Sequence, residues 1–281
     1  REKINFYNHK DIDYLCVITT HATFSTEHFQ KAIEEIAPPK LLIADEVHHL
    51  GSSNRRDFLP SSFSKRLALS ATPDRWFDDE GTQILRDYFG KTVFELSLAD
   101  AIGLSLTPYY YYPTLVELDD EEMEEYKILS IKIGQMMAQN KDESDEYLTM
   151  LLIKRSRILN NAKNKIHVLE DLLDQNKDIR DTLIYCAPGG QIDDVMHLVG
   201  VQKRIRAHRF TAEEDIPTRR NLLERFSKGD LQVLSAMKCL DEGVDVPSTR
   251  KAYILASSSN PREFIQRRGR VLRMFPGKDH A

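Results

Sequence analysis

Short apolar runs that each stop at a polar block recur along this chain, and they constrain its fold more than any other feature. Leu41 to Ala44 stops at Asp45-Glu46-Val47-His48-His49, and Leu67 to Leu69 stops at Ser70-Ala71-Thr72-Pro73. Helical patterns lie between such runs, one of them from about Thr26 to Ile36, closed by Pro38-Pro39. Strands separated by helices predict a parallel sheet with its functional residues at the carboxyl ends of the strands.

The alternation returns in the second half. Thr182 to Cys186, Arg204 to Phe210, Leu231 to Ala236 and Ala252 to Ala256 read as strands. Helices are expected near Ile192 to Val199 and from about Thr218 to Lys228, where Gly229 is the natural stop. Asn260-Pro261-Arg262-Glu263 reads as the start of a last helix, with Asn as cap, Pro in the first position and Glu completing a capping box. Tyr14 to Thr19 and Val93 to Leu96 are also expected as strands, and Leu106 to Pro113, with its four tyrosines, as an extended crossing segment. Between the halves, Met123, Tyr126, Ser130, Ile133 and Met137 mark one helix, with Asp119 to Glu122 suited to its positive end. A second helical stretch from about Glu143 is interrupted near Asn160-Asn161. The fold class expected is α/β, with two parallel-sheet domains and an acidic helical insertion over 117–181.

With 281 residues, 41% of them hydrophobic, the chain has room for two cores. No stretch approaches the roughly 18 continuous apolar residues of a membrane helix, and no signal-peptide core follows Arg1-Glu2-Lys3-Ile4-Asn5. A cytoplasmic, reducing setting is expected, without membrane association. Cys16, Cys186 and Cys239 are far apart and each lies in an apolar run, which fits buried small hydrophobes better than disulfides or a zinc site. The chain opens on Arg1 and reads as a piece of something longer. Its net charge of -5 hides an asymmetry: residues 117–181 carry 16 acids and 10 bases, whereas 200–281 carry 17 bases and 10 acids. A phosphate backbone, if bound, would be met in the last third.

Nucleoside triphosphate hydrolysis needs a metal to neutralise phosphates, a group to take a proton from water, and cations for the charge that spreads onto the transferred oxygens. Asp45 at a strand end suits Mg²⁺, and its neighbour Glu46 points elsewhere and suits the general base. Two adjacent histidines without a further spaced ligand make a poor zinc site, so His48 reads as a hydrogen-bonding group near the phosphates and His49 as structural. Gln266-Arg267-Arg268-Gly269-Arg270-Val271-Leu272-Arg273 supplies the cations. On a helix, Arg270 and Arg273 face the same way with Gln266 one turn earlier. Gly269 in such a helix costs about 1 kcal/mol unless close approach is needed.

In this order the blocks resemble a superfamily 2 helicase or translocase of the DExH type, on the side of restriction-enzyme motors and XPB-like helicases. Asp45 to His48 resembles motif II, Ser70 to Thr72 motif III, Gly243-Val244-Asp245-Val246-Pro247 motif V and Gln266 to Arg273 motif VI. The resemblance implies two RecA-like domains, read as 1–106 and 107–281, with ATP and Mg²⁺ as cofactors and nucleic acid, DNA rather than RNA, as partner. It implies that Asp45 holds the metal, Glu46 is the base, and Gln266, Arg270 and Arg273 reach the phosphates. By the same likeness His48, Gly243 and Asp245 meet the nucleotide, Ser70 and Thr72 couple hydrolysis to nucleic-acid binding, and Thr20 and Thr211 touch the nucleic-acid backbone. Nuclease or other defence or repair subunits would be its companions.

One departure stands out. No Gly-rich loop with Lys precedes Asp45 in residues 1–44, and Gly90-Lys91-Thr92 lacks the glycine five places earlier, where Leu85 stands. The first domain is therefore expected to be partial and the polypeptide weak or inactive alone. The alternative from a different class is an inactive nucleic-acid-binding or scaffold module of the same fold.

Overall fold

The computed structural model describes residues 2–75, 78–138, 146–176, 178–237, 246–256 and 269–281. The chain divides into two compact units, 1–95 and 96–281.

The first unit contains α1 (Glu2–Asn8), α2 (His21–Phe24), α3 (Glu27–Glu34), β1 (Leu41–Ala44), β2 (Lys65–Ala68) and α4 (Asp79–Phe89). β1 and β2 are parallel, with Leu41 opposite Lys65 and Ala44 opposite Ala68. Side-chain oxygens of Thr20, Thr26 and Asp78 accept the free N–H groups that open α2, α3 and α4. The strands are covered on one face: Leu42, Ala44 and Ala68 pack with Ile33 of α3 and Leu85 of α4. The opposite face carries Leu41 and Ile43, which are 56% and 57% exposed. These runs, buried in character by sequence, are thus half buried, because α3 and α4 share the same side of the sheet.

Two expected strands are not formed. Residues 14–19 and 93–96 form no ladder, and Ile18 and Val93 are 93% and 84% exposed. β-branched composition favours a strand only where a neighbour completes its hydrogen bonds, and neither segment pairs with a strand among the described residues. Cys16 is exposed for this reason, against the expectation of burial. Gly90 ends α4 with a φ of 89°, a conformation that glycine tolerates.

The second unit contains α5 (Leu98–Ala101), α6 (Asp120–Ala138), α7 (Glu146–Asn160), α8 (Asn164–Gln175), β3 (Thr182–Tyr185), α9 (Gln191–Met196), β4 (Ala207–Phe210), α10 (Ile216–Ser227), β5 (Val233–Ala236) and β6 (Lys251–Ile254). Its sheet is parallel, ordered β4-β5-β3-β6. Alternate residues of β3 feed two cores. Leu183 and Tyr185 pack with Leu222 and Phe226 of α10, while Ile184 packs with Leu169 and Leu173 of α8 and Val195 of α9. The sheet is therefore sandwiched, which explains why β3 and β5 are buried without alternation. Cys186 lies in the second of these cores, where burial pushes its thiol up to about 12.

α6 and α7 share a small core of Leu129, Ile133, Leu148 and Leu151. The buried face is rotated from the expected stripe, since Met123 and Met137 are exposed and Leu129 is covered. A helix with one packed neighbour buries only the residues facing that neighbour. At the start of α6 the Asp119 N–H donates to Glu122 Oε2 at 3.1 Å and the Glu122 N–H to Asp119 Oδ1 at 2.8 Å. This reciprocal pair satisfies two amide groups at the helix start. Among the described residues no helix is long and apolar enough to cross a membrane.

Candidate active site

The acidic block occupies the turn that leaves β1. The Leu69 N–H donates to the Ala44 carbonyl at 2.8 Å and the Val47 N–H to the Leu69 carbonyl at 3.1 Å, so β1 and the segment after β2 leave the sheet side by side. Glu46 then takes a left-handed conformation, φ 44° and ψ 48°. A non-glycine residue there is strained and signals that the surroundings require it. Asp45, exposed, accepts the Glu46 N–H on Oδ1 at 2.9 Å. Val47 to Gly51 follow as a tight helical turn that buries Val47, His48, Leu50 and Gly51.

His48 is 3% exposed, and its Nδ1 lies 3.4 Å from Glu46 Oε2. Its ring is 4.1 Å from that of His49, which in turn is 5.4 Å from His21, next to Thr20. Burial lowers the affinity of His21 for a proton, and the neighbouring His49 lowers it further. The His48 carbonyl accepts a hydrogen bond from Arg75. Arg75 Nε also donates to Asp78 Oδ2 at 2.6 Å, and its backbone N–H donates to Thr82 Oγ1 at 2.8 Å. Burial raises the Asp78 carboxyl, but the Arg75 guanidinium and the Gly81 N–H outweigh it and hold it below the ordinary carboxylate range. Arg75 thus joins the turn after β1 to the start of α4. Sequence reading missed it, although a cation two residues after Thr72-Pro73 was a visible signal.

Ser70 and Thr72 are tied to each other: Ser70 Oγ donates to the Thr72 carbonyl at 2.9 Å and accepts the Thr72 N–H at 3.2 Å. Thr20 caps α2, accepting the Thr23 N–H at 3.2 Å. Thr211 is buried at the end of β4 and donates its hydroxyl to Glu214 Oε2 at 2.8 Å.

In the second unit, Arg270 lies in a helical turn over 269–271 and is half buried. Arg273 is outside that turn and exposed, bridging antiparallel to Leu106. The expected shared helix face of the two arginines is therefore corrected: the turn closes at Val271, whose side chain joins the sheet core. A Cβ added to Gly269 would meet nothing within 4 Å among the described residues. Gln266, Gly243 and Asp245 lie outside the described residues, as does Cys239.

Asp45 and Glu46 offer hard oxygen ligands. No group of three or more His, Cys, Asp or Glu among the described residues is arranged to hold a metal by itself. Mg²⁺ needs less from the protein: it takes one or two carboxylates and completes its shell with water and phosphate oxygens. An exposed carboxylate at a strand end fits that requirement.

Residues 164–275 match the family model of the helicase conserved C-terminal domain. The DNA 3'-5' translocase XPB2 of Sulfurisphaera tokodaii is 28% identical over 254 residues, covering 83% of this chain and 55% of that protein. Among solved structures, the ATP-dependent Type ISP restriction-modification enzyme LlaBIII bound to DNA matches with a TM-score of 0.60 at 15% identity, over 99% of this chain and 20% of that one. The Pyrococcus furiosus Hef helicase domain matches with a TM-score of 0.51 at 15% identity, over 93% of this chain and 74% of that one. The chain thus spans about half the length of the XPB2 relative. Its parallel sheets and these neighbours define a RecA-like α/β fold. Residues 164–275 are thus similar to a helicase C-terminal domain, and the chain as a whole is similar to the XPB2 translocase.

Proposed function

We propose that these residues form part of a nucleic-acid-dependent ATPase motor, a helicase or double-strand translocase acting on DNA in the cytoplasm, with functional halves 1–106 and 107–281. The observation that carries the reading is the strained Glu46 at the end of β1, with φ 44° and His48 Nδ1 3.4 Å from its carboxylate. Strain of this kind is retained where the direction of one side chain matters.

Asp45 would hold Mg²⁺, which when bound supplies charge neutralisation at the phosphates. Glu46 takes the proton of the attacking water as its oxygen bonds to the terminal phosphorus and the bond to the leaving diphosphate breaks. His48 holds the Glu46 carboxylate, and with Gly243 and Asp245 it contacts the nucleotide. Gln266, Arg270 and Arg273 meet the phosphate charge from the second half. Ser70 and Thr72, already bonded to each other, transmit nucleic-acid contact made by Thr20 and Thr211. Residues 1–44 contain no Gly-rich phosphate loop, so the 281-residue polypeptide by itself turns ATP over weakly or not at all.

The test is ATP hydrolysis by the full-length protein with single-stranded and double-stranded DNA and RNA. DNA-stimulated turnover supports the reading. Nucleic-acid binding with no turnover under any condition supports the inactive scaffold instead.

A further inference from the structure

Lys278 is 7% exposed, and among the described residues no carboxylate stands within ion-pair distance of it. Its Nζ donates to the Val271 carbonyl, to the Arg273 carbonyl at 3.0 Å and to the Pro247 carbonyl at 3.4 Å. An ammonium has three protons to donate, so these acceptors use its full capacity. The first two are carbonyls at the end of the turn that carries Arg270, where helical partners run out and partial negative charge accumulates. The third follows the Gly243 to Val246 segment. The Arg273 carbonyl also accepts from Thr107 Oγ1 at 3.4 Å, and the Thr107 N–H donates to Leu272 at 2.6 Å.

The chain builds this contact deliberately. Lys278 N–H donates to the Phe275 carbonyl at 3.0 Å across Pro276-Gly277, with Gly277 at φ 74°. Proline followed by a left-handed glycine is the signature of a type II turn. That turn carries the ammonium back to residues 271 and 273. Arg250 braces the turn by donating to the Gly277 carbonyl at 2.7 Å, and Asp181 lies 3.4 Å from Arg250 Nε.

We propose that Lys278 is a positioning residue that fixes the backbone at Arg270 and Arg273 to Pro247. It thereby sets the reach of the arginines assigned to the phosphates. An apolar side chain would fill the same space, but it would remove the donor shared by the carbonyls at 247, 271 and 273. Burial, together with the nearby charge of Arg250 and against that of Asp181, lowers the Lys278 ammonium to about 8. A lysine held charged against burial fits a role that needs its three donors. The proposal rests on the functional reading above.

The experiment measures DNA-stimulated ATP hydrolysis by the full-length protein. Lys278→Met is expected to lower kcat by about tenfold or more with KM for ATP changed by less than about threefold, because transition-state contacts suffer rather than ground-state binding. Lys278→Arg is expected to restore most of kcat. Should Lys278→Met fail to fold, wild type and Lys278→Arg are compared across pH: wild-type kcat falls above about pH 8, and the arginine variant, charged throughout, lacks that limb. Folded Lys278→Met with wild-type kcat, or identical alkaline profiles, overturns this proposal alone. A wild-type protein with no stimulated turnover overturns the functional reading and this proposal with it.

Discussion

The guanidinium of Arg75 donates a hydrogen bond to the carbonyl oxygen of His48, 27 residues earlier in the chain. The same side chain pairs with Asp78, which caps α4, so one cation joins the acidic turn to the helix packed against it. Hydrogen bonds to charged groups contribute about 1.5–3 kcal/mol each. Arg75→Ala is therefore expected to destabilise the first unit by roughly 2–3 kcal/mol. Thermal unfolding of the full chain checks this, with Arg75→Lys intermediate because one ammonium does not reproduce the fork.

Two glycines set how closely α4 approaches that turn. A Cβ on Gly81 would lie 2.5 Å from the Gly51 carbonyl oxygen, and one on Gly51 would lie 2.7 Å from Arg75 Cδ. Replacing a helical glycine by alanine ordinarily gains about 1 kcal/mol of helix propensity. Here overpacking against backbone costs about 1–3 kcal/mol, and the clash decides the sign. Gly81→Ala should destabilise, while Gly134→Ala in α6, where an added Cβ meets nothing within 4 Å among the described residues, should stabilise slightly. Paired melting temperatures test the contrast.

Acid should weaken the first unit through His21. Its folded proton affinity lies below the ordinary value of 6.5, first through burial and then through His49. The unfolded chain then binds the proton more tightly. The stability His21 contributes is complete above pH 6.5 and is lost as pH falls toward the lowered folded value. Melting temperature measured from pH 7.5 down to 5 should fall less steeply in His21→Asn than in wild type. Equal slopes would remove His21 as the cause.

Much of the second unit was legible because its signals are local or complete within the strand. The residues of β3 and β5, mostly apolar, are buried on both faces, Gly229 follows α10 with φ 79°, and α7 ends at Asn160. What stayed hidden depends on partners distant in the chain. Tyr14 to Thr19 has strand composition but, among the described residues, no neighbouring strand to complete a ladder. The left-handed Glu46 and the reach of Arg75 to His48 have no periodicity that a sequence reveals. Lys278 reads in sequence as one more surface base, and only the Pro276-Gly277 turn hints that it folds back.

The central proposal is that Glu46 is the base of an ATP-hydrolysing site. Its most direct test is DNA-stimulated ATP hydrolysis by the full-length protein carrying Glu46→Gln, with nucleotide binding measured in parallel. General-base removal should lower kcat by about 10²–10⁴-fold while ATP binding is retained. A Glu46→Gln protein that hydrolyses ATP at the wild-type rate would contradict the account.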